Sequence, residues 1–88
     1  MPTISMFYGI IVRMYFAPNE HPPPHFHAYY GENKAVVDVR TCEVVQGDLP
    51  QRQVRLVEAW AELHQEELMA DWQLVMNGEK PFSIQPLQ

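Results

Sequence analysis

Eighty-eight residues provide for one domain, in which only about two thirds of the unfolded chain's surface is buried, and leave no length for a second. The composition is 47% hydrophobic and 11% aromatic with no low-complexity run, which argues against a disordered chain. Eleven acids against six bases give a net charge of −5, which opposes a sequence-independent nucleic-acid coat, and the lone Cys42 excludes an internal disulfide and a cysteine-rich zinc site.

The opening Met1-Pro2-Thr3-Ile4 carries no basic segment ahead of an apolar run, and Arg13 cuts the apolar stretch that follows, so no signal peptide is expected. No window approaches the roughly 18 to 20 apolar residues of a membrane span. The expectation is a cytoplasmic protein in a reducing interior, with no membrane partner.

From Ile4 to Phe16 the chain is rich in β-branched and aromatic residues with one interruption, Gly9, which predicts a strand with a bend or bulge at that glycine. Alternation places Val12, Met14 and Phe16 toward the core and Ile11, Arg13 and Tyr15 on the other face. A charge among so many apolar neighbours must reach solvent or pair across the sheet, which singles out Arg13. A second strand begins at the histidine block and runs to Tyr30. Gly31-Glu32-Asn33 is a turn, and Lys34 to Arg40 forms a third strand with Ala35, Val37 and Val39 on one face and Val36 facing away. Glu43 to Gln46 reads as a short fourth strand. No connection is long enough for a helical crossover, so the sheet is antiparallel.

Asp48-Leu49-Pro50 is a helix start, with Asp48 or Leu49 at the cap and Pro50 in the first turn. Leu56, Val57, Trp60, Ala61, Leu63, Leu68, Trp72 and Val75 then form an apolar stripe that ends at Asn77-Gly78. An unbroken helix from Pro50 to Met76 would span roughly 40 Å at 1.5 Å per residue. A break is therefore expected near His64 to Glu66. The tail docks through Phe82, Ile84 and Leu87. The fold predicted is α+β: an antiparallel sheet of three to four strands followed by a long or broken C-terminal helix packed across one face. More apolar helix surface than so small a sheet can cover makes a homo-oligomer an open expectation.

The chemistry concentrates in Glu20-His21-Pro22-Pro23-Pro24-His25-Phe26-His27, which holds three of the four histidines. The prolines fix φ near about −65° and remove three donors, so His21 and His25 are joined by a stiff, non-helical arm. On a strand, His25 and His27 share one face and Phe26 enters the core. This block, together with the Met1 to Ile4 start, Phe7-Tyr8-Gly9, Tyr30-Gly31-Glu32, Gly47 to Pro50, Glu58-Ala59-Trp60, Glu67-Leu68 and Trp72, resembles a bacterial family of small proteins known as a domain of unknown function. The likeness runs along nearly the whole chain. Pro23 to His27 is its specific part, His21 fits the family pattern, and Pro22 departs from it where a polar residue is common. The resemblance implies a gene that often neighbours another small gene, a pair suspected of forming a toxin-antitoxin module. It implies no substrate and no catalytic residue.

Three functional readings follow from the residue types, with the gene pair and the nearby-encoded partner being what the resemblance implies. The favoured one is a protein-interaction module of a two-gene, toxin-antitoxin-like unit. Its surface is His21, His25, Phe26, His27, Tyr15, Tyr29 and Glu32, and it contacts a small protein encoded nearby. The alternative is an enzyme acting on RNA or a phosphorylated small molecule. There His25 and His27 exchange protons and Arg13 or Lys34 balances phosphate charge, with RNA disfavoured by the acidic balance. A divalent metal such as zinc, nickel or copper, held by His21, His25 and His27 with Glu32 or an open fourth position, would assist it. His25 and His27 stand about 6.5 Å apart along such a strand, so shared ligation needs favourable rotamers. A further reading assigns the histidines to backbone hydrogen bonds and Phe26 to packing. His64 fits a helix boundary, Trp60 and Trp72 the core, Glu66 and Glu67 a solvated face, and Cys42 has no neighbouring base to activate it.

Overall fold

A computed structural model describes residues 2–88; Met1, the first residue of the start motif, lies outside the described residues. Five strands follow one another, β1 (Thr3–Phe7), β2 (Ile10–Arg13), β3 (His25–Tyr30), β4 (Asn33–Asp38) and β5 (Glu43–Gly47), and two helices complete the chain, α1 (Gln51–Leu63) and α2 (Gln65–Met76). Each strand pairs antiparallel with the next, so the sheet is a meander in the order β1-β2-β3-β4-β5.

The predicted three to four strands become five because the first long apolar run is two strands. Tyr8 and Gly9 both have positive φ, 49° and 80°, between the paired residues Phe7 and Ile10. Two consecutive left-handed residues make a tight hairpin whose twist matches the strands it joins. A tyrosine in that conformation carries no turn signature, which is why the run reads as continuous.

Face assignment follows the two-residue period. Val12, Met14, Phe26, Ala28, Ala35, Val37 and Val39 are fully buried, with Ile4, Phe7 and Ile10 beside them. Trp60 of α1 closes this core, its ring 5.2 Å from Phe7 and edge-on to Phe26 at 5.7 Å. Such a side chain contributes about 1.5–3 kcal/mol by burial. Its indole N–H donates to the Gln85 carbonyl, and the Ile84 amide donates to Ile4, so the tail is strapped over the outer edge of β1.

Pro50 stands at the N-cap position and helix begins at Gln51, one residue later than the predicted start. The helix breaks at His64, whose φ and ψ are −121° and 25°. The molecule measures 33 Å along its longest axis, shorter than an unbroken helix would require. Gln65 holds the break, donating to the carbonyls of Val39 and Arg40. Among the described residues, no helix is long and apolar enough to cross a membrane.

Candidate functional site

The histidine block straddles a loop and a strand. The loop between β2 and β3 is anchored where the Ala17 amide donates to Val75 of α2 and the Val39 amide donates to Pro24. From there β3 alternates: Phe26 and Ala28 enter the core, and His25, His27 and Tyr29 are displayed, partly buried, on the opposite face.

Glu20, carried back over the strand by the proline loop, reaches both imidazoles. Its Oε2 lies 2.6 Å from His25 Nε2 and its Oε1 lies 2.9 Å from His27 Nε2. All three side chains are largely shielded, with 15%, 14% and 22% of their surface exposed for Glu20, His25 and His27. His25 Nδ1 lies 2.8 Å from the Pro23 carbonyl, an acceptor only, so this nitrogen carries a proton and donates it. Nε2 then faces the carboxylate with a lone pair unless a positive centre stands between them. Two acceptors at 2.6 Å repel, so the geometry calls for a proton or a metal ion at that place.

Aromatic walls surround the triad. Trp72 of α2 lies 5.1 Å from the His25 ring, Tyr15 meets His27 edge-on at 4.8 Å, and Tyr29 stacks beyond His27 at 6.4 Å. The hydroxyls of Tyr15 and Tyr29 bond to each other. Burial first, then that bond, push the Tyr29 phenol up to about 12, against the lowering effect of Arg13. Arg13 pairs with His27 across the β2–β3 ladder. Its Nε donates to the Thr3 hydroxyl at 3.3 Å and its guanidinium sits over the Tyr29 ring at 5.5 Å. Among the described residues no carboxylate lies within ion-pair distance of Arg13. Beside His27 and Tyr29 an open groove of about 370 Å³ runs past Lys34 and Val36 to Gln46 and Gly47.

Of the residues proposed from sequence, His25, His27, Tyr15, Tyr29 and Arg13 converge here, and Phe26 supports them from the core side. His21 does not join them: it is exposed on the proline arm, and the histidine–carboxylate group consists of Glu20, His25 and His27. Glu32 is exposed in the β3–β4 turn and is likewise outside that group. The residues missed are Glu20 and Trp72. Glu20 heads the motif but lies in a loop without periodicity, and Trp72 meets His25 only through the packing of α2. Cys42 is buried against the Val39 carbonyl, its thiol pushed up by burial and by the surrounding acids Glu62, Asp38 and Glu58, so it is no nucleophile. His64 lies at the helix boundary, 2.6 Å from Glu67.

Fold and site together define a small α+β domain with a carboxylate-bridged histidine pair on the displayed face of an antiparallel meander. The chain belongs to the family described as a domain of unknown function, DUF4160, which it matches over residues 9–73, a span that takes in the triad, Arg13, both tyrosines and Trp72. No curated protein and no solved structure matches the chain.

Proposed function

We propose that this domain is a small enzyme of phosphate-ester chemistry, acting on RNA or a phosphorylated small molecule at the face built by Glu20, His25 and His27. The observation that supports it is the single carboxylate shared by two imidazoles, an arrangement that orients proton-transfer groups before substrate arrives. Both ring nitrogens of His25 are engaged, by Pro23 and Glu20, so His25 is a positioning residue. Glu20 and the more exposed His27 are the pair that exchanges protons with substrate. Arg13, unpaired with any described carboxylate, supplies positive charge beside them, and the groove past Lys34 is of a size for a nucleotide-like ligand.

The test is a turnover assay on untagged protein with single-stranded RNA, nucleotides and simple phosphoesters. The wild type is expected to cleave at least one of these. Glu20→Gln and His27→Ala are each expected to lose roughly 10²–10⁴-fold in kcat, while Arg13→Ala mainly raises KM. A wild type inert toward the whole panel, or a His27→Ala variant as active as wild type, overturns the reading.

A second reading is supported by the exposed run His21-Pro22-Pro23, a stiff arm outside the triad. It suits contact with a small protein encoded nearby, as in a toxin-antitoxin-like pair, in a cytoplasmic setting. Coexpression with the neighbouring gene product would then yield a complex that His21→Ala weakens and His27→Ala leaves intact; failure of the wild type to form any complex removes this reading.

A further inference from the structure

We infer that Glu20, His25 and His27 form a divalent-cation site of the zinc type, with three protein ligands and a fourth position open toward the groove. Its chemical consequence rests on the phosphate-ester reading above, with water at the open position taking over the proton exchange that Glu20 and His27, once ligands, no longer perform; the binding itself does not.

The ligand chemistry is the first support. Two imidazole nitrogens and one carboxylate oxygen, all within 4.8 Å of one another, match the two-histidine, one-carboxylate sets that hold zinc and other first-row divalent ions. Ligands of one tetrahedral zinc lie about 3.4 Å apart, given bond lengths near 2.0–2.2 Å. The observed contacts of Glu20, 2.6 and 2.9 Å, need to open by about 0.8 and 0.5 Å to admit the ion, and no pair of ligand atoms in the group is separated by more than 4.8 Å. Those adjustments are within reach of side-chain rotations of the loop-borne glutamate and the two imidazoles.

Orientation is the second support, and it is independent. His25 Nδ1–H donates to the Pro23 carbonyl, the backbone bond that fixes tautomer and ring direction in metal-bound histidines. Nε2 is thereby aimed at Glu20, across the gap where a proton or a metal ion stands. Pro22, Pro23 and Pro24 hold that carbonyl and the carboxylate in register, and β3 places His27 on the same face as His25. The third support is charge. Glu20 and Arg13 sum to zero, and a divalent ion makes the face positive, as a phosphate-bearing ligand requires in a chain of net charge −5. The three ligands leave room for a water or a substrate oxygen, which sets this site apart from closed, four-ligand structural sites. The carboxylate from Glu20 takes the place that sequence reading assigned to His21.

Untagged, chelator-treated protein is titrated with Zn(II) by calorimetry and with Co(II) by visible absorption. The expected result is one ion per chain and Co(II) ligand-field bands of a low-coordinate nitrogen–oxygen site. Glu20→Ala, His25→Ala and His27→Ala are each expected to weaken binding by at least about 100-fold. His21→Ala and His64→Ala are expected to leave it unchanged, and circular dichroism checks that every variant is folded. Absence of stoichiometric binding, or binding lost in His21→Ala and kept in folded Glu20→Ala, overturns the site. Phosphoester turnover that survives chelation overturns the ion's catalytic part and keeps the enzyme reading. Stoichiometric binding without turnover of any substrate keeps the ion site and overturns the enzyme reading.

Discussion

At the scale of single residues, the working face is governed by how few polar groups share a shielded space. Tyr29 shows the effect. Its hydroxyl is partly buried beside a second phenol, Glu20 and Arg13, and burial is the first cause of its displacement to about 12. A spectrophotometric titration of metal-free protein is expected to contain one tyrosine ionising near that value, read ahead of the alkaline unfolding that circular dichroism tracks. Tyr15→Phe removes the neighbouring hydroxyl, so the value should fall partway toward 10 and no further, because burial remains. Ordinary titration of all tyrosines in the wild type would contradict the geometry. Phe26 acts differently: wholly buried against Trp60, it holds His25 and His27 on the displayed face by occupying the core between them.

Elements are joined by turns that particular residues make, and Gly47 is the most constrained of them. It ends β5 with φ of 79°, and a Cβ there would stand 2.4 Å from the Lys34 carbonyl oxygen and 3.0 Å from the Ala35 Cα. Both obstacles are backbone and cannot swing away. Gly47→Ala is expected to cost at least about 2 kcal/mol, from the left-handed conformation plus displacement of β4. That corresponds to a fall in Tm on the order of 10 °C for a domain of this size. Gly31 also has positive φ, 58°, but nothing within 4 Å of the added carbon, so Gly31→Ala should lose only about 1 kcal/mol. Equal losses in the two variants would show that sterics at Gly47 are not what matters. Because Gly47, Lys34 and Ala35 also line the groove, the same substitution should disturb ligand binding beside His27.

For the whole molecule, two buried carboxylates set opposing pH dependences. Asp38 accepts from the Arg40 guanidinium and amide, which hold its carboxyl below the usual range. Its contribution is present above the ordinary carboxyl value and is lost as pH falls through the lowered one. Asp71 is the reverse case. It is almost fully buried on α2, accepts from the Phe82 amide through one oxygen and has no partner among the described residues for the other, and burial pushes its carboxyl up. A raised value favours the protonated form in the folded state, so this contribution is full below the ordinary value of 3.8 and is lost as pH rises through the folded one. Asp71→Asn keeps an acceptor for Phe82 and removes the titration. The difference in Tm between variant and wild type is therefore expected to shift in the variant's favour as pH rises above 3.8, then level off. A difference that stays constant across that range would mean Asp71 does not titrate in the fold.

Local pattern alone determined a good deal: the α+β class, the inward faces of the strands from Val12 to Val39, the burial of Phe26, the helix start near Pro50 and the break at His64. These are legible because a two-residue or 3.6-residue period is written into neighbouring side chains, and because proline and glycine act on the backbone where they stand. Other features were decided by tertiary structure. The Tyr8–Gly9 hairpin was legible only as a bend or bulge at Gly9, since its first residue is a tyrosine held left-handed between the paired strands on either side. Glu20 meets His25 and His27 because a loop of irregular backbone folds back over β3, and loops carry no periodicity from which direction can be read. Trp72 reaches His25 across more than forty residues of chain, a contact that exists only once α2 is packed. The histidines could be named from sequence; the carboxylate that joins them is fixed by the fold.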